Sequence, residues 1–147
     1  MFRYIPLVLI LASFVSAQTS SPTPDLFAGC YQVVSLTWHP PDTTVTLIPN
    51  QFELQNVPWE SKGEFTMHSL RTEAEDHHFE NLWTWRPISK NKLEVTWSTG
   101  FGGFHGTLKR AANGDLVGTI KEYCDYRCGW NARTGKLRVH PIDCKTN

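Results

Sequence analysis

Cys30, Cys124, Cys128, His140 and Cys144 are the residues whose types and spacing could do chemistry. Two chemistries compete for them. Cys124-x3-Cys128-x11-His140-x3-Cys144 supplies three thiols and an imidazole, a donor set that suits tetrahedral zinc. The same thiols can close instead as disulfides, and four cysteines allow three pairings. Compartment weighs between them, because thiols seldom stay reduced in an oxidising space. His140 also stands in a strand-like run, whereas small zinc modules commonly present their histidine on a short helix. Disulfides are therefore expected at all four cysteines, with no metal and no cofactor.

Other reactive constellations are sparse. There is no Gly-x-Ser-x-Gly elbow, no His-Glu-x-x-His helix and no Cys–His nucleophile arrangement. Glu53 and Glu94 are candidate paired carboxylates, expected on neighbouring strands. His68 and His105 could serve as general bases or haem ligands, although a lone histidine in a strand is more often a surface or hydrogen-bonded core residue. The run Ser98-Thr99-Gly100-Phe101-Gly102-Gly103-Phe104-His105-Gly106 is rich in glycine. A phosphate cradle needs a helix after such a loop, and strand patterns flank this one, so a sharp turn is expected instead. No catalytic residue is assigned. With 14 basic and 14 acidic residues the formal charge is zero, which advertises neither a nucleic-acid groove nor an anionic membrane surface.

The elements that must position these residues follow from pattern. Residues 1–17 read as a signal peptide: Arg3, an apolar run from Ile5 to Ala12, and a small-residue ending Val15-Ser16-Ala17. That run is shorter than the roughly 20 residues of a membrane span. Residues 18–25 form a flexible Ser/Thr/Pro leader, and 26–147 form a single domain that is secreted, periplasmic or extracellular. Within it the dominant period is two. Leu93, Val95 and Trp97 share one face while Glu94 and Thr96 share the other, the pattern of a half-buried strand. Strands are expected near 29–38, 43–48, 51–55, 63–70, 79–86, 92–98, 102–109, 115–123 and 136–142, with turns such as Asn113-Gly114 between them. Residues 70–78, with Glu73, Glu75, Asp76, His77 and His78, read as a solvated loop.

The fold class is accordingly all-β: an antiparallel up-and-down meander of eight or nine strands closed as a barrel, with a β-sandwich as the alternative. Barrel closure makes the first and last strands neighbours. Cys30 would then meet Cys144, leaving Cys124 for Cys128 across a turn at Asp125 to Gly129, since an extended five-residue stretch holds its ends too far apart for a disulfide.

Leu26-Phe27-Ala28-Gly29-Cys30-Tyr31 resembles the opening of a lipocalin or related calycin barrel, in which a Gly-x-Trp motif closes the floor and a basic residue near the chain end packs over the ring. Gly29 and Tyr31 match that motif, with Tyr in place of Trp, and Arg138 or Arg133 would be the basic partner. Asp125-Tyr126 is similar to the family's Thr-Asp-Tyr element, with Cys124 in place of Thr. The resemblance implies non-covalent capture of a small apolar or amphipathic molecule. Phe79, Trp83, Trp85, Leu93, Trp97 and Phe104 are the residues expected to line the interior. If they fill it, the barrel becomes a structural or protein-interaction module instead; a hydrolase-like or metal-binding barrel is the second alternative.

Overall fold

The structure, a computed structural model, describes residues 22–41, 48–60, 63–70, 80, 82–124 and 132–144. Eight strands run in chain order: β1 Gly29–His39, β2 Gln51–Pro58, β3 Phe65–Ser69, β4 Thr84–Ser89, β5 Lys92–Ser98, β6 Gly102–Arg110, β7 Leu116–Cys124 and β8 Thr134–Ile142. Each pairs antiparallel with the next, and β1 also pairs with β8, so the meander is a closed barrel rather than a sandwich. The expected segments 1–17 and 43–47, and Phe79, lie outside the described residues.

Alternation of apolar and polar residues drives this architecture. In β5, Leu93, Val95 and Trp97 are fully buried while the residues between them are only partly covered. β1 departs from strict alternation. Its register shifts between Val33 and Ser35, which flips parity, so Tyr31 faces the core below the bulge and Leu36 and Trp38 pack against it above. Below the bulge β1 pairs with both β2 and β8; above it the pairing is to β8. The strand expected at 79–86 is displaced to Thr84–Ser89. Pro87 keeps a place opposite Leu93 because the ladder slips between Pro87 and Ser89, where its missing N–H breaks no regular pairing.

The barrel has two unlike ends. At the floor, where β1 begins, a 3-10 turn at Pro24–Leu26 leads Phe27 into the core, and the Tyr31 hydroxyl donates to the Phe27 carbonyl at 2.7 Å. Arg110 stacks its guanidinium 4.9 Å from the Phe27 ring centroid and donates to the Leu26 carbonyl. Burial pushes the Tyr31 phenol above its ordinary pKa, and Arg110 opposes that shift. The Cys30–Cys144 disulfide, with Cα atoms 5.2 Å apart, staples β1 to the chain just beyond β8 at this same end. The longest connections, 40–50, 70–83 and 125–133, all join strands at the opposite, upper end.

Candidate functional site: the upper interior

Three tryptophans approach the upper end on separate strands. Trp38 is near the end of β1, Trp97 near the end of β5, and Trp83 immediately precedes β4. Trp83 and Trp97 sit one step above the Thr84–Thr96 pair, Trp97 is opposite Phe104, and the Phe104 ring lies 4.9 Å from that of Trp38. Phe52 meets Trp97 edge to face at 5.6 Å from below. Trp38 reaches Phe104 by crossing β8 at Gly135, where any Cβ would stand 2.8 Å from the indole ring. Gly135 is thus a strand residue whose missing side chain admits a ring.

Polar accounting singles out this region. The Nε1 atoms of Trp38, Trp83 and Trp97 are buried and have no hydrogen-bond partner among the described residues. Trp85, lower in the barrel, provides the contrast: its Nε1 donates to the Gln55 carbonyl at 3.0 Å and the Thr66 carbonyl at 3.1 Å. A buried unsatisfied donor costs about 1–3 kcal/mol, and proteins leave few of them. At the rim Arg133 lies 5.2 Å over Trp38 and 5.5 Å over Phe104. Its Nε and Nη2 each donate to Glu122 at 2.8 Å, a bidentate pair that holds the guanidinium over the rings.

Of the residues expected to line the interior, Trp83, Trp97 and Phe104 come together here, while Trp85 and Leu93 are buried lower down. Sequence reasoning missed Trp38, Phe52, Glu122 and Arg133 as members of this cluster. The bulge hides Trp38, since its position has the wrong parity relative to Tyr31 in an unbroken strand. Arg133, one of two arginines proposed for the floor, sits at the opposite end. Arg138, the other, projects outward and donates to Asp115 at 2.5 Å; the guanidinium at the floor is Arg110.

The remaining chemical candidates do not converge. Glu53 and Glu94 are not on neighbouring strands: β2 pairs with β1 and β3, and β5 with β4 and β6. Each carboxylate has its own partner, His68 Nε2 at 3.2 Å for Glu53 and Arg86 for Glu94. His105 meets the Thr96 hydroxyl at 3.0 Å on the outer face, so neither histidine enters the barrel. The zinc arrangement is overturned, because Cys144 is spent in the disulfide with Cys30 and Cys124 is also disulfide-bonded. Cys128, its expected partner, lies outside the described residues. Cys30, Cys144 and Glu53 place ligand-type atoms within 4.8 Å of one another, yet with both sulfurs bonded only one carboxylate could hold a cation.

Asp115 anchors a separate polar cluster. Its carboxylate is 1% exposed and accepts from Arg138, from His140 Nδ1 at 2.7 Å and from Asn113 Nδ2 at 2.9 Å. Hydrogen bonds from His140 and then Arg138 outweigh burial and lower its pKa to about 2. This cluster fastens the Asn113-Gly114 turn to β8. Comparisons of the chain with protein-family models, with curated proteins and with solved structures returned no match.

Proposed function

We propose that this chain is an exported, non-enzymatic barrel that captures a small amphipathic molecule in its upper interior. The ligand's apolar body would lie among the rings of Trp97, Phe104 and Phe52, and its acceptor group, a carboxylate or carbonyl oxygen, would take the indole N–H donors. The observation that carries this reading is the set of three buried, unpartnered indole nitrogens at one end of an aromatic barrel. An acceptor brought by a ligand would recover much of the cost of those donors. The closed eight-stranded meander with a sealed floor supports a calycin-like mode of binding through the upper end. Export rests on the signal-like run at 1–17.

A second reading is favoured by the burial itself. Trp83, Trp97 and Phe104 are all at most 3% exposed and belong to one buried core cluster, as in a barrel filled by its own side chains. Such a barrel would act through its outer surface. Tryptophan fluorescence separates the two: titration with dodecanoate, retinoic acid and haem should shift or quench the emission saturably with at least one of them. Dodecane should produce a weaker response than dodecanoate, because it offers no acceptor. Trp97→Phe with Trp83→Phe should weaken the response to the acceptor-bearing probe by roughly tenfold, the equivalent of about 1.4 kcal/mol. No saturable response across the panel, from protein with a native circular dichroism spectrum and melt, would leave the filled module as the function.

A further inference from the structure

The chain's zero net charge conceals a segregation of charge on the barrel wall. Residues alternate in and out along β6, β7 and β8, and no outward position on these three strands is Asp or Glu. Outward positions instead include Lys109 on β6, Lys121 on β7, and Lys136 and Arg138 on β8, Arg138 being paired with Asp115; Lys92 lies next to them on β5, beside Glu94, which Arg86 holds. Glu122 on β7 shares parity with buried Ile120 and is held by Arg133. Among the described residues, Lys92, Lys109, Lys121 and Lys136 have no carboxylate within ion-pair distance. Lys92 and Lys109 face each other directly across β5 and β6, a like-charge pair that destabilises a sheet. A cross-strand repulsion of that kind is relieved when an anion bridges the two ammonium groups.

The same wall is grooved. One groove of about 480 Å³ is bordered by Lys92, Lys109 and Lys121, with the Thr107 and Thr119 hydroxyls on its bed. A second, of about 440 Å³, is bordered by Lys136 and Arg138 with Ser35 and Thr37. They share Val117, Gly118 and Thr119, so together they form one track across β7. Gly106 and Gly118 border the grooves through their backbone, since they share parity with the buried Leu108 and Ile120 and their missing side chains face inward. Cations spread along a track, with hydroxyls between them, suit a polymer with many anionic groups better than a single phosphate.

We infer that this wall binds a linear sulfated or uronate-bearing polysaccharide. Hydroxyl side chains can exchange hydrogen bonds with sugar hydroxyls while the lysines neutralise sulfates or carboxylates. Single-stranded nucleic acid is disfavoured because no Phe, Tyr or Trp lines either groove, and the His105 imidazole at the first groove is the one ring there for a base to stack on. An anionic membrane is disfavoured because, among the described residues, the exposed large apolar side chains Leu26, Val34, Val57, Ile88 and Phe101 lie off β6, β7 and β8, Phe101 being in the turn before β6. The inference is independent of any ligand inside the barrel.

The test uses the full chain and a heparin oligosaccharide as probe, with affinity measured over a series of salt concentrations. Binding should be saturable at physiological ionic strength and weaken steeply with added salt. The triple variant Lys109→Gln, Lys121→Gln, Lys136→Gln should bind at least about tenfold more weakly. It should melt no lower than the parent, since it also removes the Lys92–Lys109 repulsion. Lys90→Gln, in the turn between β4 and β5, should bind as the parent does. Absence of binding at physiological ionic strength, or equal loss in the Lys90 variant, overturns the inference. So does tighter binding to a mixed-sequence DNA oligonucleotide or to phosphatidylserine vesicles than to heparin.

Discussion

Asp115 and the tryptophans make opposite uses of burial. Asp115 is almost wholly covered yet stays ionised, because His140 and Arg138 donate to it. Its folded pKa of about 2 lies below the value of about 3.9 for an unfolded aspartate. The stability it contributes is therefore fully present above about pH 4 and is lost as pH falls toward about pH 2. Asp115→Asn should flatten that acid limb in melts recorded across this window, while the parent's melting temperature should drop through it. Among the indoles, Trp85→Phe strips a donor from two half-buried carbonyls, whereas Trp97→Phe removes a donor that has no partner among the described residues. Urea denaturation should find Trp85→Phe the more costly by about 1 kcal/mol or more. Equal losses would mean that the Trp97 N–H is satisfied in solution.

Strand pattern was readable wherever alternation was unbroken. Residues 92–98 and 102–109 were expected as strands and lie in β5 and β6, because each burying face follows directly from a period of two. Two elements escaped that logic. The bulge in β1 reverses which residues face inward, and the slipped ladder at Pro87 carries β4 past a residue that ordinarily stops a strand. Both irregularities depend on what the partner strand offers, which no local window contains. The disulfide acts at this scale too, tying the start of β1 to the chain beyond β8 across a separation of 114 residues. Replacing Cys30 and Cys144 together by alanine should lower the unfolding free energy by about 2–5 kcal/mol. Far-UV circular dichroism should remain that of the barrel, since β1 and β8 still pair over most of their length.

For the whole molecule, the sequence alone pointed to an antiparallel meander closed as a barrel, with a sandwich as the alternative, and left three pairings of the four cysteines open. Alternation and turn residues are properties of order along the chain, whereas the tertiary structure decided closure and the bond between Cys30 and Cys144. The sequence also identified Trp83, Trp97 and Phe104 as residues of interest, from ring size and parity. Only tertiary structure decided that Trp38 joins them, that Arg133 covers the rim while Arg110 serves the floor, and that three indole donors end without partners. Likewise, a balanced count of charges could not reveal a wall of lysines whose acidic counterparts lie elsewhere. These features are set by curvature, bulges and stagger, which bring together residues far apart in the chain, and hydrogen-bond satisfaction and charge segregation exist only once those distances are fixed.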